Sequence, residues 1–397
     1  MFEALPEAKA DAILGLMAVF RQDLRADKLD LGVGIYKDLA GNTPVMRAIK
    51  AAEQQLIDTQ SSKAYISPTG SAAFCAAMVN QVFGDEADKS RIRCAQSVGG
   101  SGALRILADL IKQVRPDAGL WLSDPTWPNH LPLLSTAGFT LHSYPYYDAA
   151  KGSVDRPRFF ASLKQIPSGD VLLLHGCCHN PTGADLDMSD WNQVIDICLE
   201  RSLFPLIDLA YQGFGDGLEE DAAPVRLMAK RLPELVIAAS CSKNLGLYRE
   251  RVGAAILVAQ DADSAIRAHG QLGSVVRSNY SMPPDHGANI TEIVLNDATL
   301  NRQWREELEA MRQRMVKLRL AFSEALRKRS NSDQFDYIAE QKGMFSRLPL
   351  STDQIDTLRV EHAIYIVGDG RINVAGLPEN GMDALADAIC NLMNETK

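Results

Sequence analysis

Along the middle of the chain, short apolar runs alternate with longer stretches whose apolar residues return every three or four positions. Gly119 to Ser123, Val171 to His175, Phe204 to Asp208, Leu235 to Ala239 and Gly253 to Val258 are each nearly continuous in apolar residues. Runs of this length and continuity mark strands buried on both faces. Their alternation with helical patterns predicts an α/β fold, a mainly parallel central sheet covered by helices. Nearer the N-terminus, the apolar stretch Ala12 to Phe20 precedes a charged segment, Arg21 to Asp30, and reads as a helix giving way to an extended Leu31 to Tyr36. A charged, periodic stretch from about Thr299 to Arg329 reads as one helix, or two in succession, leading to a smaller α/β region that ends near Lys397. No internal repeat, low-complexity tract or Pro/Gly/Ser-rich linker separates these parts. The expected division is residues 1–43 as an N-terminal arm with part of a small domain, 44–310 as a large ligand-binding domain, and 311–397 as a C-terminal small domain.

In sheets of this kind ligands gather at the carboxyl ends of the strands, so the residues that close each apolar run carry the information. These are Asp124-Pro125, His175 and then Asn180-Pro181, Asp208 through Tyr211, and Ser240 through Lys243. A lysine after a strand is by default a solvated side chain. At the floor of a cleft, burial would make the same amine easier to deprotonate, as a Schiff-base nucleophile requires. Asp208 reads equally as a helix N-cap or as a carboxylate that keeps a pyridine nitrogen protonated, with Tyr211 hydrogen-bonding a ring hydroxyl. Gly99-Gly100-Ser101-Gly102 opens a helical pattern. It suits an anion held on free backbone N–H groups, although a plain tight turn would use the same glycines. Arg251 and Arg371 offer guanidinium forks that fit phosphate and carboxylate, against the surface position that is the default for arginine.

His175, Cys177, Cys178 and His179 invite a metal reading. Adjacent cysteines can hardly both turn to one tetrahedral ion, and no partner cluster of ligands stands elsewhere in the sequence, so no metal is expected. The Asn180-Pro181-Thr182-Gly183 turn is the better signal.

Composition narrows the field. A chain of 397 residues, 46% apolar, can bury a large core in two domains. Its net charge of -9 and pI near 5.4 lack the basic face that neutralising phosphates calls for, so no nucleic-acid partner is expected. Seven scattered cysteines without a CxxC pair fit reduced thiols and a cytoplasmic location. Met1 to Phe20 carries Glu3, Glu7, Lys9 and Asp11 and lacks the order of a signal peptide, and no apolar stretch is long enough for a bilayer, so no membrane association is expected.

In order along the chain, Asp30-Leu31-Gly32-Val33-Gly34-Ile35-Tyr36-Lys37-Asp38, Asp124-Pro125-Thr126-Trp127-Pro128-Asn129-His130, Asn180-Pro181-Thr182-Gly183, Asp208 to Tyr211, Ser240 to Lys243 and Gly370-Arg371 resemble the fold-type I, pyridoxal-phosphate-dependent class I aminotransferases. The likeness runs over essentially the whole chain, and is specifically to the subfamily of aspartate and bacterial aromatic-amino-acid transaminases. It implies that Lys243 carries pyridoxal 5'-phosphate as an internal aldimine and then shuttles the substrate proton. It implies that Asp208 pairs with the pyridine nitrogen, supported by His130, while Tyr211 and Asn180 bind the ring hydroxyl oxygen. Gly100, Ser101, Ser240 and Arg251 would hold the phosphate, with Tyr65 reaching over from the other subunit of a homodimer. Trp127 and Ala210 would sandwich the ring. Arg371, helped by Asn180 and the Gly34 backbone, would grip the substrate α-carboxylate, and Arg277 of the neighbouring subunit a distal carboxylate.

The implied reaction is transamination between amino acids and 2-oxo acids. Met282 after Asn279-Tyr280-Ser281, Ser101 in the phosphate turn, and the segments Leu206 to Gly217 and Ser281 to Gly287 resemble aromatic transaminases more than aspartate enzymes, and a thioether can repack around an aromatic ring. The expected activity is therefore on tyrosine, phenylalanine and tryptophan as well as aspartate and glutamate, with 2-oxoglutarate as acceptor. The alternative is an aspartate aminotransferase with little aromatic activity.

Overall fold

The computed structural model describes residues 1–5, 7, 12–85 and 87–394, so the final residues of the expected C-terminal domain, up to Lys397, lie outside the described residues. Its centre is a seven-stranded sheet of β1 (Ile92–Val98), β2 (Leu120–Asp124), β3 (Leu141–Pro145), β4 (Val171–His175), β5 (Phe204–Leu209), β6 (Leu235–Ser240) and β7 (Val252–Val258). They lie in the order β1-β7-β6-β5-β4-β2-β3. The pairs from β3 through to β6 are all parallel. The exception is β7, antiparallel to both β6 and β1. Its reversal follows from the short link between Ser240 and Val252, which is not long enough to carry the chain back for a parallel crossover.

That reversal places chemistry. The link turns at the carboxyl end of β6, so Lys243 and Arg251 both sit on that edge of the sheet. Since β1 is antiparallel to β7, it too ends there, with Val98 opposite Val252. Across the parallel strands, His175 stands opposite Asp208. The polar residues closing β1, β4, β5 and β6 are thus brought to one edge.

Period-two alternation divides the apolar residues between the faces. Leu172, Leu174, Ile207 and Ile237 join the larger core, which includes Trp304 and Phe322. Val171, Leu173, Leu206 and Val236 face the other way, toward Leu104 and Leu107 of helix α1 (Gly99–Val114). The sequence reading lacked β1 and β3. In β1 the apolar run is broken by Arg93 and Gln96, and β3 is an edge strand exposed at His142 and Ser143. The charged stretch expected as one or two helices is a single helix, α2 (Ala298–Ser330), capped by Asp297 and free of glycine and proline.

Distant segments close over the sheet edge. Leu29–Asp30 pairs in parallel with Ile364–Tyr365, and Phe345–Arg347 pairs antiparallel with Arg371–Asn373. The extended Leu31 to Tyr36 segment is held by Asn373, whose Nδ2 donates to the Val33 and Ile35 carbonyls at 2.7 Å each. Among the described residues no helix is long and apolar enough to cross a membrane.

Candidate active site

The strand ends surround a cavity of about 230 Å³. On one side, α1 begins directly after β1. Gly99 has φ +66°, and a Cβ on it would fall 2.5 Å from Nη2 of Arg251. A Cβ on Gly100 would meet Ser240 at 3.0 Å. Glycines are therefore needed for the helix start to lie this close to β6 and β7. The first-turn N–H groups of α1 have no partners within the helix and carry its positive dipole end. Arg251 donates to Ser242 Oγ at 3.3 Å and to the Tyr248 carbonyl at 3.2 Å, which fixes the guanidinium beside that helix start. Gly100, Ser101, Ser240, Ser242 and Arg251 all line the cavity, forming a cradle for an anion.

Opposite the cradle stands Asp208. Its Oδ2 lies 3.1 Å from Nε2 of His130, whose imidazole is wholly buried. Thr126 Oγ1 is 2.8 Å from His130 Nδ1 and 3.3 Å from His175 Nε2, so one hydroxyl bridges the two rings. Burial alone would raise the Asp208 carboxyl. The hydrogen bond from His130, with the nearby His130 and His175 rings and Lys243 adding to it, outweighs burial and holds the group below the usual carboxylate range. Burial, with His130 adding to it, pushes His175 down to about 3, a neutral ring at ordinary pH.

Lys243 is half-buried, facing the cavity rather than open solvent, with Nζ 4.8 Å from the centre of the Tyr211 ring. Burial lowers its amine to about 8; Asp208 pulls the other way, and Arg251 and Arg371 add to the lowering. Burial pushes the Tyr211 phenol up, so it stays protonated as a hydrogen-bond donor.

Arg371 is buried behind the cavity wall. It donates to Asn180 Oδ1 at 3.3 Å and to the Gly32 carbonyl at 2.9 Å, and its guanidinium lies 4.5 Å from the centre of the Phe345 ring. Asn180 and Gly34 line the cavity, as do Trp127 and Ala210. The expected site thus assembles around Lys243, with His130 and Arg371 immediately behind its walls. Tyr65, 92% exposed, and Arg277, exposed at the end of Ala262–Asn279, are not among the lining residues of this cavity. Met282 likewise lies in the turn after that helix, outside the cavity lining.

Four lining residues had been given no site role from the sequence: His175, Ser242, Tyr248 and Leu104. His175 and Ser242 stand among the strand-end residues already singled out, but neither was given a role in the site. Tyr248 had no such signal. Its hydroxyl accepts the Tyr36 N–H at 3.0 Å, a contact between segments remote in sequence.

The expectation that adjacent cysteines diverge needs correction. The ligand atoms of Cys177, Cys178 and Asp221 all lie within 4.8 Å of one another, because Cys178 has φ +52° and turns back. Asp221 already accepts the backbone N–H groups of Gly213, Gly215 and Asp216, and burial pushes the Cys178 thiol up to about 12. Asp221 therefore serves to fix the loop after β5. A larger cavity of about 880 Å³, between Asn80 and Arg305, is lined by none of Lys243, Asp208, Asn180 and Arg251, and its Arg226 and Arg305 both pair with Glu219.

Comparison with known proteins agrees with this geometry. The family model described as aminotransferase class I and II matches residues 26–389. The chain is 47% identical to the aromatic-amino-acid aminotransferase of Pseudomonas aeruginosa, covering 98% of both chains. It is 44% identical to the aspartate aminotransferase of Salmonella typhi, covering 98% of this chain and 99% of that one. The solved structure of an aromatic-amino-acid aminotransferase from Burkholderia pseudomallei, covalently bound to pyridoxal phosphate, is similar with a TM-score of 0.96 at 40% identity, covering 99% of both.

Proposed function

The chain belongs to the class I and II aminotransferases, a pyridoxal-phosphate family, and on that premise we propose that it moves amino groups from aromatic amino acids, and from aspartate and glutamate, to 2-oxoglutarate in a ping-pong cycle. The observation that carries the reading is the convergence of Lys243, Asp208 and Arg251 on one cavity. A cradle that a Cβ at position 100 would fill, an amine lowered to about 8 and a carboxylate held ionised fit the phosphate, the aldehyde and the ring nitrogen of the cofactor.

Pyridoxal phosphate, when bound, supplies an electron-accepting ring that can take up an amino group and release it again. The residues around it do the rest. Lys243 would hold the cofactor and carry the proton at Nζ, since an amine near 8 can both give and accept one at neutral pH. Asp208 would keep the ring nitrogen protonated, and buried His130 keeps Asp208 aimed. Tyr211 and Asn180 would bind the ring oxygen, with Trp127 and Ala210 on the two ring faces. Gly100, Ser101, Ser240 and Arg251 would bind the phosphate. Arg371 would take the α-carboxylate beside Asn180 and Gly34, because a planar fork already braced on one side orients a carboxylate well.

Tyr65 and Arg277 would complete the site from a second copy of the chain, which accounts for their exposure away from their own cavity. The protein would then be a homodimer with shared sites, acting in the cytoplasm. In each subunit residues 44–310 would form the cofactor domain, with 1–43 and 311–397 forming the arm and small domain. Ser101 in the cradle and Met282 near Arg277 support the aromatic lean. The test is kcat/KM for phenylalanine and for aspartate with 2-oxoglutarate. Turnover of both is expected; phenylalanine nearly inert beside aspartate would leave an aspartate aminotransferase.

A further inference from the structure

Arg319 lies within α2 and is 2% exposed, yet among the described residues no carboxylate stands within ion-pair distance of it. A buried guanidinium held by neutral groups alone is costly, so its partners show what it is there to hold. Nη1 donates to the Ile338 carbonyl at 3.2 Å and to Ser346 Oγ at 2.5 Å. Nη2 donates to the carbonyls of Lys342, Gly343 and Phe345 at 3.1, 2.8 and 2.6 Å. Five hydrogen bonds from one side chain thus gather a single segment, 338–346.

That segment is fitted into the active site at two points. The Lys342 N–H donates to the Gly183 carbonyl at 2.8 Å, and a Cβ at Gly183 would fall 2.3 Å from the Phe345 carbonyl oxygen, so the Asn180 turn is dovetailed to it. At the other point, Phe345 pairs with Asn373 across the strand that begins with Arg371, and its ring lies under the Arg371 guanidinium. The same ring stands 5.9 Å from that of Tyr211 and would meet a Cβ on Gly34 at 2.7 Å.

We propose that Arg319 is a positioning residue for substrate carboxylate binding: by locking the Phe345 carbonyl and Ser346 it fixes the ring that supports Arg371. The proposal rests on the reading of Arg371 as the α-carboxylate site. It predicts that Arg319 governs affinity for the carboxylate and leaves cofactor affinity alone, because Arg319 touches none of the cradle residues. Lysine cannot replace it, since an ammonium has too few donors, and no planar fork, to hold five acceptors.

The experiment uses the cofactor-loaded enzyme and 3-phenylpropionate, an inert carboxylate, with the dissociation constant read by calorimetry and cofactor retention by absorbance. Arg319→Lys is expected to weaken 3-phenylpropionate roughly tenfold while the cofactor stays bound. Phe345→Leu leaves the five hydrogen bonds available and tests the last link by itself, with a similar loss expected. The double variant should lose little more than either single one, as residues acting through one another do. Unchanged binding in either single variant, loss of cofactor in step with loss of the carboxylate, or additive effects would overturn the proposal. Arg371→Leu is measured alongside: if it too binds 3-phenylpropionate as the wild type does, the reading of Arg371 is what fails.

Discussion

His130 Nε2 lies 3.1 Å from Oδ2 of Asp208, and its other ring nitrogen is held by Thr126 at 2.8 Å. Two fixed contacts give the imidazole one orientation, and through it the carboxylate. Asp208→Asn keeps the shape and removes the negative charge that the pair presents to the cavity. We expect kcat/KM to fall roughly 10²- to 10³-fold, the usual scale for removing one preorganised electrostatic group. Steady-state kinetics at saturating cofactor would check it, and a loss under threefold would contradict the role.

Lys243 gives a prediction in pH. In the cofactor-free protein its amine titrates near 8, against an ordinary value of 10.5, so the folded state binds this proton less tightly than the unfolded chain. The resulting cost to stability is complete below pH 8 and fades as pH rises toward 10.5. Lys243→Met removes the amine. The cofactor-free variant should therefore resist urea better than the wild type at pH 7, with the advantage closing by pH 10.5, while transamination is abolished. An equal advantage at both pH values would show that packing, and not the charge, is responsible.

Gly99→Ala tests the cradle. At φ +66° an added Cβ is strained, and it would press on the Arg251 guanidinium. The long side chain can move aside, so the fold should lose only about 1 kcal/mol. Moving aside takes Arg251 away from the helix start, and cofactor affinity should drop tenfold or more, on the order of one lost charge-assisted contact. Fluorescence titration of the cofactor-free protein measures it.

The shared-site reading makes a prediction about mixtures. Lys243→Ala and Arg277→Ala subunits should each form homodimers with little activity on aspartate. After the two are unfolded together and refolded, about a quarter of wild-type activity should return, because half of the dimers are hybrids and each hybrid holds one intact site. No recovery in a mixture shown by mass to contain hybrids would place Arg277 outside the neighbouring site.

How much of this was legible in the sequence differs from part to part. The five apolar runs named the inner strands because strands covered on both faces are apolar throughout, and their last residues named most of the cavity wall. The antiparallel return of β7 could not be read from composition, since Gly253 to Val258 is as apolar as its parallel neighbours; only the short link after Ser240 carried that information. Strands β1 and β3 were hidden by Arg93 and Gln96 in one and by exposed edge residues in the other. Arg277 and Arg371 look alike as letters, yet one is exposed and the other buried. Arg319 fell within the charged, periodic stretch expected to be helical and was not singled out, because its partners are carbonyls and a hydroxyl supplied by a loop that only folding brings near.

The place of β7 also bears on the order in which the molecule can be made. β1 leaves the ribosome first, but the neighbour that satisfies its N–H and C=O groups is β7, made only after every other strand of the sheet. Until Val252 to Val258 emerges, Ile92 to Val98 has no strand of the sheet to pair with and β6 is left as an open sheet edge, the kind of edge on which growing polypeptides associate. The arrival of that one strand covers β6, joins β1 to the sheet and, in the same event, sets Arg251 beside Gly99. Translation must therefore pass Val258 before the anion cradle can exist, and a chain released earlier would be both inactive and adhesive.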